Sequence, residues 1–600
     1  MTGIIAGPAR YRRMSDDLVA DALARPLVRV NQVGYLPDGP KRATVVTAAP
    51  RPLPFRVRAD GGGVVFAGRT APWSRAEPSS GLALHVADFS DLPAAEGAVR
   101  LEVDAGDGLP LMSHPFRVAA DLYRPLVGDA LRFLHAQRSG WAVLDDVLPG
   151  YARPAGHVGV PPNRGDRAVR GWQGPDADRL YPGWRLERAV DVSGGWYDAG
   201  DHGKYVVSGA LPAAMLLDVV EHGGPGAGPV GGPGPSVLAE ALWQVDWIVR
   251  MQVPAGEQHA GLAFHRVHDD AWTPLPLMPH DDPAPRVLHR PSTAAALHLA
   301  AVAAQASALV TAGGATAGGA EHGRRLLAAA TTAWAAAERE PPLLAPADDG
   351  AFGGGPYDDA DLVDDRYWAA AELYLATGGA TYLAALQDSP CHRGDADAPD
   401  GFGWNVLAPW VRLRLARADR PFPGRDQVRA GVLRSADRLL ALQAAQPWDQ
   451  PYAPDDGWDW GSTGQLLSNL VVLAVAHELS GDRRYRDGVL AGLDLLFGRN
   501  AVGLSFVTGY GTDHAHRQRV RHFGHALDPR FPPPPPGSLA GGPASKVYPG
   551  FPGDPRFAGL PPQFCYADEP TSETTNDVCI RWNAPLLRVA ASVTARGVSS

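Results

Sequence analysis

Between residues 27 and 118 apolar residues recur in short runs at alternate positions. The runs are Leu27-Val28-Arg29-Val30, Arg42-Ala43-Thr44-Val45-Val46, Phe55-Arg56-Val57-Arg58, Leu82-Ala83-Leu84-His85-Val86 and Val99-Arg100-Leu101-Glu102-Val103, with Pro, Gly and Asp between them. A period of two puts the apolar side chains on one face of a strand, and several such strands at this spacing predict a small all-β sandwich. Past Tyr123 the period changes. Over 124–138, Leu126, Ala130, Leu131, Phe133 and Leu134 share one helical face. Apolar periodicity or Ala/Leu enrichment predicts further helices near 205–221, 236–252, 292–311, 322–338, 365–377, 425–444, 463–479, 484–497 and 583–596. Ten or more helices without interleaved strands make a large all-α unit. Helix count alone leaves a closed ring of hairpins and an open solenoid both open. The resulting division is an N-terminal extension at 1–26, a sandwich at 27–118 and a helical domain at 119–600. The low-complexity pieces 223–235 and 532–536 read as surface loops, the five-proline run being stiff and extended.

Six hundred residues exceed what one hydrophobic core serves, so more than one domain is expected. The formal charge of −10 argues against a nucleic-acid partner, because phosphate binding needs clustered Lys and Arg. No signal-peptide run opens the chain and no stretch reaches about 18 apolar residues, so neither a membrane span nor common-route export is expected. The localisation this implies is cytoplasmic, or secreted if the start codon is misassigned. Three cysteines cannot build a disulfide framework; a single Cys565–Cys579 bridge and buried free thiols both satisfy the count.

The densest chemistry lies in Gly194-Gly195-Trp196-Tyr197-Asp198-Ala199-Gly200-Asp201-His202. Two carboxylates three residues apart can hold and deprotonate a water. Glycines admit a ligand close to the backbone, and Trp196 and Tyr197 offer flat faces to a sugar. The same residues could also be an Asp-rich turn capping a helix.

This segment resembles the paired-aspartate motif of glycoside hydrolase family 9, cellulases with an (α/α)6 barrel. Val30-Asn31-Gln32-Val33-Gly34-Tyr35-Leu36-Pro37 is similar to the first strand of the immunoglobulin-like domain that precedes many of these barrels. Tyr151-Ala152-Arg153-Pro154-Ala155-Gly156-His157, Pro291-Ser292-Thr293-Ala294-Ala295, Tyr367 to Tyr374, Ser505 to Gly511 and Asn583-Ala584-Pro585-Leu586 follow in family order, about residues 27–597 in all. The resemblance implies an inverting hydrolase with Asp201 as general base and Asp198 as its partner on the attacking water. An acid must then stand across the sugar, roughly 6.5–9.5 Å from the base. The family's Glu acid falls in the segment running from Tyr566-Ala567-Asp568 to Asn583-Ala584, where this chain has Asp577. One methylene shorter, on the order of 1 Å of reach, is enough to cost about a hundredfold in rate. Glu573, at a usually aromatic position, is the alternative acid. The family's substrate-contacting His-x-Arg pair is here Arg519-Val520-Arg521, so Arg521 is kept and Arg519 replaces the His. An added guanidinium would favour polar or anionic substituents at that subsite. Trp368 and Tyr566 complete the expected substrate contacts.

The loop Gly353-Gly354-Gly355-Pro356-Tyr357-Asp358-Asp359 could sit near the groove or bind an ion through oxygen ligands, but a solvated turn is expected; the run His265-Arg266-Val267-His268-Asp269-Asp270 could line one end of the groove, though facing water is expected. Some relatives hold zinc through Cys and His, but Gly156 stands where a Cys ligand would be, so no metal is expected at the site. No cofactor is required; a structural calcium is a family feature whose ligands the sequence does not assign. The implied function is hydrolysis of β-1,4-glucosidic bonds in cello-oligosaccharides or related β-glucans. The alternatives are a glycosidase for another β-linked sugar, such as a glucosaminide, and a carbohydrate-binding protein with a degenerate site. The partner is an oligo- or polysaccharide, with no nucleic acid and no membrane.

Overall fold

The computed structural model describes residues 8–594 except 107, 223–235, 313–318, 348–352, 397, 399 and 549–552. The loop expected at 223–235 therefore lies outside the described residues.

The alternating runs form an immunoglobulin-like sandwich. One sheet orders the strands Val28–Arg29, Arg42–Val46, Leu84–Asp88 and Ala71–Pro72. The other orders Gly34–Tyr35, Phe116–Val118, Ala95–Val103, Pro54–Ala59 and Val64–Arg69, with Leu111–Met112 added beside Ala95–Val103. The inward residues of the alternation, Ala43, Val45, Phe55, Val57, Val99, Leu101 and Val103, make the core with Tyr35, Phe89 and Phe116.

The helical part closes on itself. Six inner helices, Val206–His222, Thr293–Ala312, Val363–Thr377, Ala408–Arg417, Ser462–Ser480 and Ile580–Thr594, each pack on the next, and the last packs on the first. Outside them lie Arg124–Ala136, Val237–Arg250, Gly319–Arg339, Ala380–Asp388, Arg425–Ala444 and Arg483–Leu496. This is an (α/α)6 barrel, and ring closure decides between the two helical architectures the sequence left open. Thr293–Ala312 is long and apolar enough to cross a membrane by length and composition, yet it is buried between its neighbours in the barrel.

The periodicity missed Pro8–Ala24, Ala380–Asp388 and Ala408–Arg417, and, contrary to expectation, short strands (Lys204–Tyr205, Ala263–Phe264, Arg266–Asp269, Arg286–Leu288 and Pro291–Ser292) pair into small sheets among the helices. Ala408–Arg417 is an inner helix whose Arg412 and Arg414 are buried, so its polar residues do not mark a solvent face. Arg414 is paired with Glu372 at 2.9 Å and with Glu221. Asp218, fully buried, accepts from Arg417 and from Arg588 Nε at 2.8 Å, while Arg588 also reaches Glu478 at 2.7 Å. Charges thus occupy the end of the ring where Val206–His222 finishes.

The sandwich is joined to the barrel by polar contacts. Asn31 Nδ2 donates to Asp494 Oδ1 and to the Tyr123 hydroxyl, both at 2.9 Å. Gln32 donates to the Gly503 carbonyl at 3.1 Å and accepts from the Asp513 N–H at 2.8 Å. The proline run is less exposed than expected, since Pro534 and Pro535 are buried. All three cysteines are free thiols, with Cys565 and Cys579 buried.

Candidate active site

The inner helices Val206–His222 and Ile580–Thr594 begin side by side, and the two catalytic segments are the chain leading into them. Helix N-termini favour negative charge, which suits carboxylates placed there. Backbone bonds stitch the segments together. Ala199 pairs with Cys579, the Ile580 N–H donates to the Asp198 carbonyl at 2.9 Å, and the Arg519 N–H donates to the Asn576 carbonyl at 2.8 Å. The Arg521 N–H closes the set on the Gly200 carbonyl at 3.0 Å. Asp198, Asp201, Arg519 and Asp577, scattered in sequence, thereby share one place.

Two glycines make this approach feasible. Gly195 has φ +76°, and a Cβ there would stand 2.5 Å from the Trp247 ring. At Gly200 a Cβ would collide with the Arg519 carbonyl and stand 2.7 Å from Asp577 Oδ1.

Asp198 is 1% exposed. One oxygen accepts from the Ser208 hydroxyl and the other from the Tyr357 hydroxyl, with Cys579 Sγ 3.9 Å from the latter oxygen. Desolvation raises its pKa, while Arg581, Ser208 and Tyr357 oppose the rise. Asp201 is partly exposed and accepts the Gly203 N–H at 3.2 Å. Asp577 is partly exposed too; its Oδ1 accepts from Gly200 N–H at 3.1 Å and Val578 N–H at 2.9 Å. Its pKa lies well above the carboxylate range, chiefly by desolvation, with Arg519 opposing and Asp201 and Glu573 adding to the rise. A carboxyl kept protonated beside a second carboxylate is the arrangement an acid–base pair needs.

The substrate-contact expectations need correction. Trp196 and Tyr197 are 1% and 0% exposed, so neither ring presents a face to a sugar. Trp196 Nε1 donates to Glu240 at 2.7 Å and the Tyr197 hydroxyl meets His157 Nδ1 at 2.7 Å, so both aromatics pin the aspartate loop to the barrel. Trp368 is fully buried edge-on against His298, a core residue. Tyr566 is buried against Phe506, its hydroxyl on Asn576 at 2.8 Å. Arg521 is 5% exposed and spends its guanidinium on Thr273 and the Gly200 carbonyl, so it shapes the loop. Arg519 alone of the six keeps an open side chain, 27% exposed.

Two stretches expected to face water are largely turned inward, although Asp270 and Asp358 stay exposed. His265 to Asp269 are buried, and His268 Nε2 meets His289 Nε2 at 2.7 Å. The glycine loop folds over the site and delivers Tyr357 to Asp198, with the Tyr357 ring packed on Tyr205 and Trp404 and under the Arg581 guanidinium. Sequence reasoning missed Ser208, Tyr357 and Arg581. The one available signal was Tyr357 following three glycines and a proline, a build suited to close approach. A recess of about 30 Å³ beside Arg581 is lined by Phe402, Trp460, Gln465 and Trp582.

Two side-chain clusters have the residue types of a metal site. His157, His202 and Asp282 are buried together, with Nε2 of both histidines lacking a hydrogen-bond partner. A Cys at 156 would not fit, because its Cβ would stand 2.6 Å from the Tyr197 hydroxyl and collide with Pro279. Asp359, Asp364 and Asp365 form an all-oxygen cluster beside the Tyr357 loop. Asp359 Oδ2 and Asp364 Oδ1 have no hydrogen-bond partner. Desolvation and neighbouring carboxylates push Asp359 up to about 7 and Asp364 up to about 6.

Comparison with known proteins agrees with this geometry. The Glycosyl hydrolase family 9 profile matches residues 123–590, and that of the Cellulase N-terminal ig-like domain matches 24–106. Endoglucanase C of Cellulomonas fimi is 46% identical over 95% of the chain, which spans 52% of that protein. A cellulose 1,4-beta-cellobiosidase of Acetivibrio thermocellus is 35% identical over 95% of the chain and 67% of its own length. The chain thus spans about half to two thirds of these relatives. A metagenome-derived glycoside hydrolase family 9 endoglucanase superposes with a TM-score of 0.79 at 29% identity, covering 95% of this chain and 99% of that one. With an ig-like sandwich, a closed six-hairpin barrel and paired aspartates at its rim, the chain belongs to glycosyl hydrolase family 9.

Proposed function

We propose that the protein hydrolyses β-1,4-glucosidic bonds of cello-oligosaccharides or related β-glucans with inversion. Asp201 and Asp198 hold a water; its oxygen attacks the anomeric carbon and its proton passes to Asp201. Asp577 gives its proton to the departing glycosidic oxygen as the carbon–oxygen bond breaks. The proton sits on Asp577 Oδ2, because Oδ1 already accepts two backbone N–H groups. Tyr357 and Ser208 each take one acceptor site on Asp198 and fix its orientation, leaving acceptor capacity for the water. Partly exposed Trp404 and Trp460 are the sugar platforms in this reading, in place of the buried Trp196 and Tyr197.

The observation that carries the proposal is the Asp577 carboxyl, lifted in pKa and locked against the N–H of Gly200, next to Asp201. That close seat offsets the methylene Asp577 lacks relative to Glu. The test is product analysis by NMR at early times on cello-, mixed-linkage, xylo- and glucosamine oligomers. Inverted product from the cello series, lost in Asp201→Ala, supports the reading; retained configuration, or activity surviving that change, overturns it.

The site works without an organic cofactor. Asp359, Asp364 and Asp365 suit calcium, a hard cation that takes carboxylate oxygens. Calcium held there would neutralise three crowded carboxylates and stiffen the loop that brings Tyr357 to Asp198.

A further inference from the structure

Two of the departures from the family's pattern meet in the fold. Arg519, where the family has His, and Glu573, at a usually aromatic position, both stand near the acid. Arg519 runs alongside Asp577 in a parallel bridge, its N–H on the neighbouring Asn576 carbonyl at 2.8 Å. A guanidinium anchored there has the reach to form an ion pair with Asp577. It points elsewhere: Nη1 donates to the Pro570 carbonyl at 3.1 Å and Nη2 lies 3.6 Å from Glu573 Oε1. Among the described residues no ion pair joins Arg519 to Asp577.

We propose that Glu573 is a positioning residue that anchors the Arg519 guanidinium away from Asp577 and so keeps the acid in its proton-carrying form. A carboxyl paired with Arg at close range is held ionised, by one to three pH units of stabilisation, and an ionised Asp577 has no proton to give. Arg alone at this position would disable the reaction; Arg with Glu573 does not. The pair is thus a compensated substitution, in which the second residue undoes the electrostatic damage of the first.

The groups facing Asp577 come from three elements. The aspartate loop brings Asp201, with Asp198 behind it; the 517–521 segment brings Arg519; and its own segment brings Glu573 and Cys579. Asp568 touches the flanking Asn576 at 3.2 Å and pairs with His516 at 3.2 Å. Two groups pull the acid toward ionisation, the Arg519 guanidinium and the backbone N–H of Val578, and among the described residues Glu573 is the charged side chain that pairs with Arg519.

The inference rests on Asp577 being the acid, and the experiment separates the two. Activity is followed against pH on cellotetraose, which needs an acid, and on 2,4-dinitrophenyl β-cellobioside, whose leaving group does not. Asp577→Asn should lose cellotetraose hydrolysis at least a hundredfold while sparing the dinitrophenyl substrate. Full cellotetraose activity in that variant overturns the acid assignment itself. Glu573→Gln should move the basic limb of kcat/KM for cellotetraose down by about one pH unit and leave the dinitrophenyl profile in place. In an Arg519→Gln background the same change should move that limb much less, because no guanidinium remains to be released. An unmoved limb in Glu573→Gln, or equal shifts in both backgrounds, overturns the positioning role. So does loss of cellotetraose hydrolysis in Glu573→Gln with Asp577→Asn unaffected, which would make Glu573 the acid.

Discussion

The backbone N–H of Gly200 donates to Asp577 Oδ1 at 3.1 Å across 377 positions of sequence, with no space for a side chain between them. One residue before the proposed base, the chain is thus in direct contact with the proposed acid. A backbone contact thus ties the segment of the proposed acid to the loop of the proposed base.

Gly200→Ala should therefore separate the two carboxyl groups. A Cβ forces the 519–521 segment or the acid segment outward, and a shift of about 1 Å costs on the order of a hundredfold in rate. Steady-state kinetics with thermal melting checks this. The expected result is at least that loss in kcat with the protein still folded; unchanged kcat would mean the contact does not control the geometry.

Tyr357→Phe removes a donor to Asp198. Hydrogen bonds to a carboxylate favour its charged form, so the Asp198 pKa, already raised by desolvation, rises further. The acidic limb of kcat/KM should move upward by about one pH unit. A profile superposing on the parent's would remove Tyr357 from the site.

Calcium should raise the melting temperature and EDTA should lower it. At a free concentration one hundred times its dissociation constant the expected stabilisation is about 2.7 kcal/mol. Protons compete for the same oxygens, with Asp359 near 7 and Asp364 near 6, so the calcium effect should be larger at pH 8 than at pH 5. Asp364→Asn should abolish it; a calcium response equal at both pH values, or surviving that change, would place the ion elsewhere.

Asp494, buried where the sandwich meets the barrel, is pushed up to about 8, mainly by desolvation and against the pull of Arg499. The folded state then holds a proton that the unfolded chain, with its carboxyl near 4, has released. Stability is lost as pH rises from about 4 to about 8. Asp494→Asn keeps an oxygen for Asn31 and removes that loss. Its melting temperature should exceed the parent's at pH 8 and converge with it near pH 5. A constant difference across that range would count against the burial argument.

Much of this was legible in the chain because local patterning and tertiary role coincide in the sandwich strands and most barrel helices. The aspartate segment and Asp577 were legible through resemblance, and the structure brings them together. Where legibility failed, polar or aromatic residues served the interior. Ala408–Arg417 hides Arg414 in ion pairs and Arg412 on the Cys391 and His392 carbonyls, so its hydropathy pattern names no buried face. Trp196 and Tyr197 carry the residue types of a sugar platform, but their hydrogen bonds to Glu240 and His157 fasten the loop. Tyr357 reaches Asp198 from 159 positions away, a contact that no local window contains.

The closed ring has a consequence for the order of events during synthesis. The proposed base stands where the first inner helix begins, the proposed acid where the last one begins, and those two helices are mutual neighbours. A ribosome that has released everything up to the fifth inner helix has made a base with no acid and a barrel with a missing stave. On the proposed roles, the acid–base pair is complete only once Ile580–Thr594 slots between Val206–His222 and Ser462–Ser480. Any nascent chain cut short before that helix would be silent rather than partially active.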